Sequence, residues 1–260
     1  MGTFLTTLLS ASLLITLLQA GCHTQTQMHG TVEPPPELPV VRIIIWDDGD
    51  IPGMASAIAV DHALVLTARH TIPPEYLSIE SDQHGTRYNT RQRVFPIMLD
   101  DVKSYAEIQQ IGRGEATDDD WVLLHCLDSY PEAPTSLQFA DAAVGQRVFV
   151  AGYPALEHGG PSGFWAKITT INADRSFLIV PDNYIDKHAD ISHTYRGMSG
   201  GGVFRIPAHS EPPMLVGMVS KHNARLFLGS VLNWNIVVIP IPSIIIAQSP
   251  PPAPRAAPSP

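Results

Sequence analysis

Cysteine is scarce in this chain: two in 260 residues, Cys22 and Cys126. Cys22 closes an N-terminal apolar segment, so a Cys22–Cys126 bridge is poorly motivated and no disulfide framework exists. The core has to hold by packing alone. Charge is scarce as well, at 16% of residues, with 16 Lys and Arg against 25 Asp and Glu and a net charge of −9. No cluster of Lys or Arg appears anywhere, which argues against a nucleic-acid partner, because phosphate neutralisation needs clustered cations. Neither His-x-x-x-His nor Cys-x-x-Cys spacing occurs, so no metal or other cofactor is expected. Amphipathic helical periodicity is also rare. What the chain does have is apolar residues, at 44%, enough to bury a core and unlike a disordered composition.

Residues 4–20 are apolar with interspersed Thr and Ser and carry no charge. That length suits a signal-peptide core better than a membrane span. The junction Leu18-Gln19-Ala20-Gly21-Cys22 resembles a bacterial lipoprotein signal, in which the Cys becomes the lipidated first residue. Gln19 and the absence of a basic n-region depart from that pattern, so an ordinary export signal and an uncleaved anchor stay open beside it. Each of these places the remainder outside the cytoplasm, in the cell envelope, the periplasm or the medium. The only membrane contact expected is this N-terminal anchor.

A Pro-rich linker is expected over 23–39, a globular region over 40–247, and a disordered Pro-, Ala- and Ser-rich tail over 248–260. Within the globular region, short apolar runs alternate with Gly, Pro and Asp. Strands are read at 40–46, 55–59, 64–67, 94–98, 121–126, 147–151, 164–171, 176–180, 202–205, 215–220 and 236–239. So many short strands argue for an all-β sandwich or barrel. A short terminal helix over 243–247, capped by Ser243, is also expected.

Ser199 lies in a glycine-dense turn, Gly197-Met198-Ser199-Gly200-Gly201-Gly202, that runs into an apolar stretch. His70 closes the run Leu64-Val65-Leu66-Thr67-Ala68-Arg69-His70, and Asp120 opens Asp120-Trp121-Val122-Leu123-Leu124. A serine hydroxyl is a weak nucleophile that needs a base for its proton and a carboxylate to orient the base. All three types are present, in the order His, Asp, Ser. A turn that offers a hydroxyl beside free backbone N–H groups requires residues without a Cβ. The Gly197 and Ser199 amides are therefore the candidate donors to a developing oxyanion. The spacing Gly197-x-Ser199-x-Gly201 also suits the nucleophile elbow of α/β-hydrolases. That fold needs a helix after the serine, then the acid, then the histidine. Here Gly-rich residues follow Ser199, the sole acid beyond it is Glu211, and His222 comes 11 residues later. The order and the propensities exclude it.

Thr67-Ala68-Arg69-His70 resembles the Thr-Ala-x-His motif of trypsin-like serine proteases, and Gly197-Met198-Ser199-Gly200-Gly201 resembles their Gly-x-Ser-Gly-Gly motif. Asp120-Trp121-Val122-Leu123-Leu124 is similar to the strand start that carries their carboxylate, with Asp118 or Asp119 the alternatives if the register shifts. Gly152-Tyr153-Pro154 and Leu215-Val216-Gly217-Met218-Val219-Ser220 match bacterial exported members. The resemblance implies two six-stranded antiparallel β-barrels packed face to face, about 40–130 and 137–247. It also implies an endopeptidase acting on polypeptide through His70, Asp120, Ser199 and an acyl-enzyme, with activity falling below about pH 6–7 as an imidazole base protonates. By position, Ser220 matches the family's serine that bonds the catalytic carboxylate at the substrate strand; His193 and His222 are further candidate substrate-binding residues.

The chain departs from the family at four places. Met198 stands where digestive members carry an Asp that pairs with a freed N-terminus, so no such zymogen switch is expected. Thr71 replaces a frequent Cys, and Gly202 a frequent Pro. Arg69 beside His70 is expected to point to the opposite face of a strand. These departures leave a rival reading, a latent or inactive trypsin-fold binding or sensor module of the envelope. A structural envelope lipoprotein, in which the three residues never meet, is the third.

Overall fold

In the computed structural model, the described residues are 35, 38–45, 53–61, 63–73, 76–77, 79–81, 87–89, 94–112, 119–128, 137–154, 160–182, 197–207, 211–227, 230–242 and 245. Of these, 53, 79–81, 87–89, 222–227 and 230–234 are described through the backbone alone. The apolar segment at 4–20, Cys22, most of the expected linker, the expected tail and His193 lie outside them.

Strands β1 (Val40–Ile45), β2 (Gly53–Ala59), β3 (Leu64–Thr67), β6 (Phe95–Leu99), β7 (Val102–Ile111) and β8 (Val122–Cys126) close into one antiparallel barrel in the order β1-β2-β3-β8-β7-β6. A two-stranded ribbon, β4 (Ile79–Ser81) with β5 (Arg87–Asn89), forms a separate sheet beside β7. The second barrel runs β13-β10-β11-β12-β15-β14 and closes where β13 pairs with β14. Its strands are β10 (Arg147–Gly152), β11 (Ser162–Ile171), β12 (Phe177–Pro181), β13 (Gly202–Arg205), β14 (Met214–Phe227) and β15 (Ser230–Pro240). The short strand β9 (Gln138–Phe139) adds parallel to β14. The fold is two six-stranded antiparallel barrels. Of the terminal helix, only Ile245 is described; it is helical, with its N–H on the Pro242 carbonyl at 3.0 Å.

The apolar runs are continuous where strands are buried on both faces, because successive side chains point to opposite sides. In β8, Val122, Leu124 and Cys126 fill the first barrel, while Leu123 enters a cluster shared by both barrels. In β10, Val148 and Val150 fill the second barrel while Phe149 and Ala151 join that shared cluster. In β13, Val203 and Phe204 divide in the same way. Burying each such Leu or Phe is worth roughly 1.5–3 kcal/mol. The two-sided burial accounts for both the sequence pattern and the mutual docking. Cys126 is free and buried; burial first, then the Asp128 and Asp61 charges, push its thiol up to about 12. It serves as a small core hydrophobe.

Candidate active site

β3 pairs antiparallel with β8, Thr67 opposite Val122, so the residues just after β3 meet those just before β8. His70 does not continue the strand. Arg69–Thr71 form a single 3-10 turn, closed by Thr71 N–H and Oγ1 donating to the Ala68 carbonyl at 3.1 and 2.7 Å. The strand alternation expected for Arg69 and His70 therefore does not apply. The Arg69 amide donates to the Asp120 carbonyl at 3.3 Å, and the His70 amide to Asp120 Oδ1 at 3.1 Å. These two main-chain bonds hold Asp120 beside the imidazole, whose Nδ1 lies 2.8 Å from Asp120 Oδ2. The residue touching His70 is thus Asp120 and not Asp119. A carboxylate only accepts, so Nδ1 donates, which in a neutral ring leaves Nε2 as the acceptor. That nitrogen lies 3.0 Å from Ser199 Oγ, which also lies 3.0 Å from the Ser220 carbonyl.

Ser220, in β14 and 1% exposed, donates its hydroxyl to Asp120 Oδ2 at 2.6 Å. Burial, the largest single influence on Asp120, opposes ionisation. Hydrogen bonds from His70, the imidazole charge and the Ser220 hydroxyl together outweigh it and hold the carboxyl below its ordinary value. The Ser220 side chain thus bonds the carboxylate, while its carbonyl faces Ser199 Oγ. His222 continues β14 opposite Ile236, and its side chain is outside the described residues, as is all of His193.

The turn that carries Ser199 is held carbonyl by carbonyl. Gly197 and Gly200 adopt φ of +93° and +84°, which L side chains rarely tolerate. The Gly197 carbonyl accepts from Ser56 Oγ at 2.8 Å, the Met198 carbonyl from the Gly201 amide at 2.8 Å, and the Ser199 carbonyl from the Ser56 amide at 2.9 Å. Among the described residues, the Gly197 and Ser199 amides donate to nothing. Gly200 packs against the Ser56 carbonyl and the Thr67 hydroxyl so closely that no Cβ fits. Met198 is 2% exposed and fills the second barrel's core. An apolar side chain thus takes the position of the family's ion-paired Asp.

Sequence reasoning passed over Ser56. Its one signal is a lone hydroxyl in the otherwise apolar β2, at a position that turns out to be fully buried.

A family model described as the trypsin-like peptidase domain matches residues 55–209. A search among curated proteins returns no match. Among solved structures, the chain is similar to the Rv3671c protease from M. tuberculosis in its active form, at 17% identity and a TM-score of 0.49, covering 82% of this chain and 80% of that one. It is also similar to the serine endoprotease from Yersinia pestis, at 14% identity and a TM-score of 0.50, covering 84% of this chain and 65% of that one. At 14% identity the second likeness bears on the fold alone, and the family assignment rests on the matched model: this chain belongs to the trypsin-like peptidase family.

Proposed function

We propose that the protein is a serine endopeptidase whose nucleophile is Ser199, with His70 as general base and Asp120 as its orienting carboxylate. The observation that carries this reading is one unbroken run of hydrogen bonds, Ser220 Oγ to Asp120 to His70 to Ser199 Oγ, spanning both barrels at 2.6, 2.8 and 3.0 Å. Nε2 takes the Ser199 proton as Oγ attacks a peptide carbonyl. Asp120 stabilises the imidazolium that results and fixes its tautomer. The Gly197 and Ser199 amides receive the oxyanion as charge develops on it. The imidazolium then protonates the leaving amine, and water, deprotonated by His70, hydrolyses the acyl-enzyme. The substrate is polypeptide, met outside the cytoplasm on the strength of the apolar segment at 4–20.

The test is labelling of the full chain with a fluorophosphonate probe, mapped by mass spectrometry. The expected result is an adduct on Ser199 that is lost in His70→Ala. A folded wild-type protein that takes no adduct overturns the endopeptidase reading in favour of a latent binding module.

A further inference from the structure

Ser56 is the one residue of the first barrel that grips the nucleophile turn of the second by both its main chain and its side chain, among the described residues. Its amide donates to the Ser199 carbonyl at 2.9 Å and its hydroxyl to the Gly197 carbonyl at 2.8 Å. The same hydroxyl oxygen accepts the Tyr153 amide at 2.7 Å, and the Ser56 carbonyl accepts the Thr67 hydroxyl at 2.7 Å. Every polar atom of Ser56 is engaged, and the residue is 0% exposed. A hydroxyl with one proton and an acceptor lone pair both used has a fixed orientation.

The consequence falls on the Gly197–Met198 peptide. Glycine has no Cβ to restrict the ψ rotation that turns that plane. The Met198–Ser199 plane is set locally, by the Gly201 amide on the Met198 carbonyl. Nothing within the turn does the same for the Gly197 carbonyl among the described residues; its partner is Ser56 Oγ, 141 positions away in sequence. The Gly197 amide, which must face the oxyanion, lies in the preceding peptide plane, across the Gly197 φ of +93°. Pinning the carbonyl side of Gly197 anchors its Cα and leaves that one torsion to set the amide.

We infer that Ser56 is a positioning residue for the oxyanion hole, its hydroxyl on the Gly197 carbonyl and its amide on the Ser199 carbonyl anchoring the two residues whose amides face the oxyanion. The inference rests on the endopeptidase reading of Ser199. It places Ser56 outside the proton relay, since the hydroxyl touches neither His70 nor Ser199 Oγ. Its loss should slow acylation and leave ground-state binding and the His70 titration as they are. A displaced oxyanion donor in an otherwise intact site lowers turnover by roughly 10²-fold.

The experiment compares wild type, Ser56→Ala and Ser56→Thr in the full chain, at a temperature where thermal melts show each to be folded. The probe is p-nitrophenyl acetate, whose small acyl group does not rely on side-chain pockets. Acylation rate and half-saturating concentration are read from the burst, and the His70 imidazole titration by NMR. The expected result for Ser56→Ala is acylation slower by roughly 10–100-fold, with half-saturation within about twofold and the imidazole titration superimposable. Ser56→Thr, which keeps the hydroxyl, should recover most of the rate. Acylation by Ser56→Ala within about twofold of wild type overturns the inference and leaves the endopeptidase reading standing. So does a loss that Ser56→Thr shares in full, or one accompanied by a moved His70 titration. A folded wild type that shows neither burst nor fluorophosphonate adduct overturns both.

Discussion

At the scale of single residues, the site works by giving each polar atom a defined partner. Asp120 shows this best: Oδ1 takes the His70 amide, and Oδ2 takes both the imidazole and the Ser220 hydroxyl. Asp120→Asn keeps the shape but presents an amide N–H to Nδ1, which favours the tautomer with its proton on Nε2. The expected loss in kcat is about 10⁴-fold with the fold retained at pH 7, read from ester hydrolysis and circular dichroism. The same carboxyl also links stability to pH. Its folded value lies below the ordinary 3.8, so the folded state binds that proton more weakly than the unfolded chain does. Its contribution is therefore present above about pH 4 and lost as pH falls through the lower folded value. The stability gap between wild type and Asp120→Asn in urea should narrow from about pH 5 downward. A gap that stays constant to about pH 3 would contradict the assignment of a depressed carboxyl.

At the scale of elements, legibility followed burial. Strands with two buried faces, such as 64–67 and 202–205, were readable to the residue, because a continuous apolar run of four or so residues between turn residues is too short for a helix and too apolar for a loop. Val102–Ile111 was missed. Its inward positions include Ser104 and Ala106 while Tyr105 is 55% exposed, and a bulge between Ile108 and Gln110 breaks the alternation. The turn before it, Asp100-Asp101 with φ of 49° and 102°, is a tight hairpin made without glycine. Strand ends at Phe227 and Ser230 went unread because polar residues continue a pairing that only the partner strand specifies. The site motifs are legible for a different reason: Gly197 and Gly200 hold positive φ, and Thr67 and Asp120 make side-chain hydrogen bonds that few residue types can make. Ser56 is not, since its role exists only across the barrel interface. The far end of β7 makes the same point. The Gly112 amide donates to the Trp121 carbonyl at 2.9 Å, and a Cβ on Gly112 would collide with the Asp119 carbonyl. Gly112→Ala must therefore push the segment that carries Asp120. We expect roughly 10²-fold lower kcat with the Ser199 turn untouched, read as lost ester hydrolysis beside an unchanged set of amide resonances for 197–201. Wild-type turnover in that variant would show that the segment relaxes without moving the carboxylate.

At the scale of the whole molecule, the candidate site is a property of docking. His70 and Asp120 belong to the first barrel, Ser199 and Ser220 to the second, and each barrel keeps a core of its own beside the shared cluster. Activity should therefore report the interface separately from the barrels. Leu123 and Leu124 are neighbours in β8 and both fully buried, yet Leu123 faces the shared cluster and Leu124 the inside of the first barrel. Truncating either to Ala removes similar apolar area and costs about 2–5 kcal/mol, which lowers a urea midpoint by roughly 1–2 M. The two should differ in order of events. In Leu123→Ala, fluorophosphonate labelling of Ser199 should disappear at lower urea than the strand signal in circular dichroism, because the barrels part before either melts. In Leu124→Ala the two losses should coincide, because the barrel that holds His70 and Asp120 is itself the weakened unit. If labelling and strand signal fall together in both variants, the barrels unfold as one cooperative body and the shared cluster is as much core as interface.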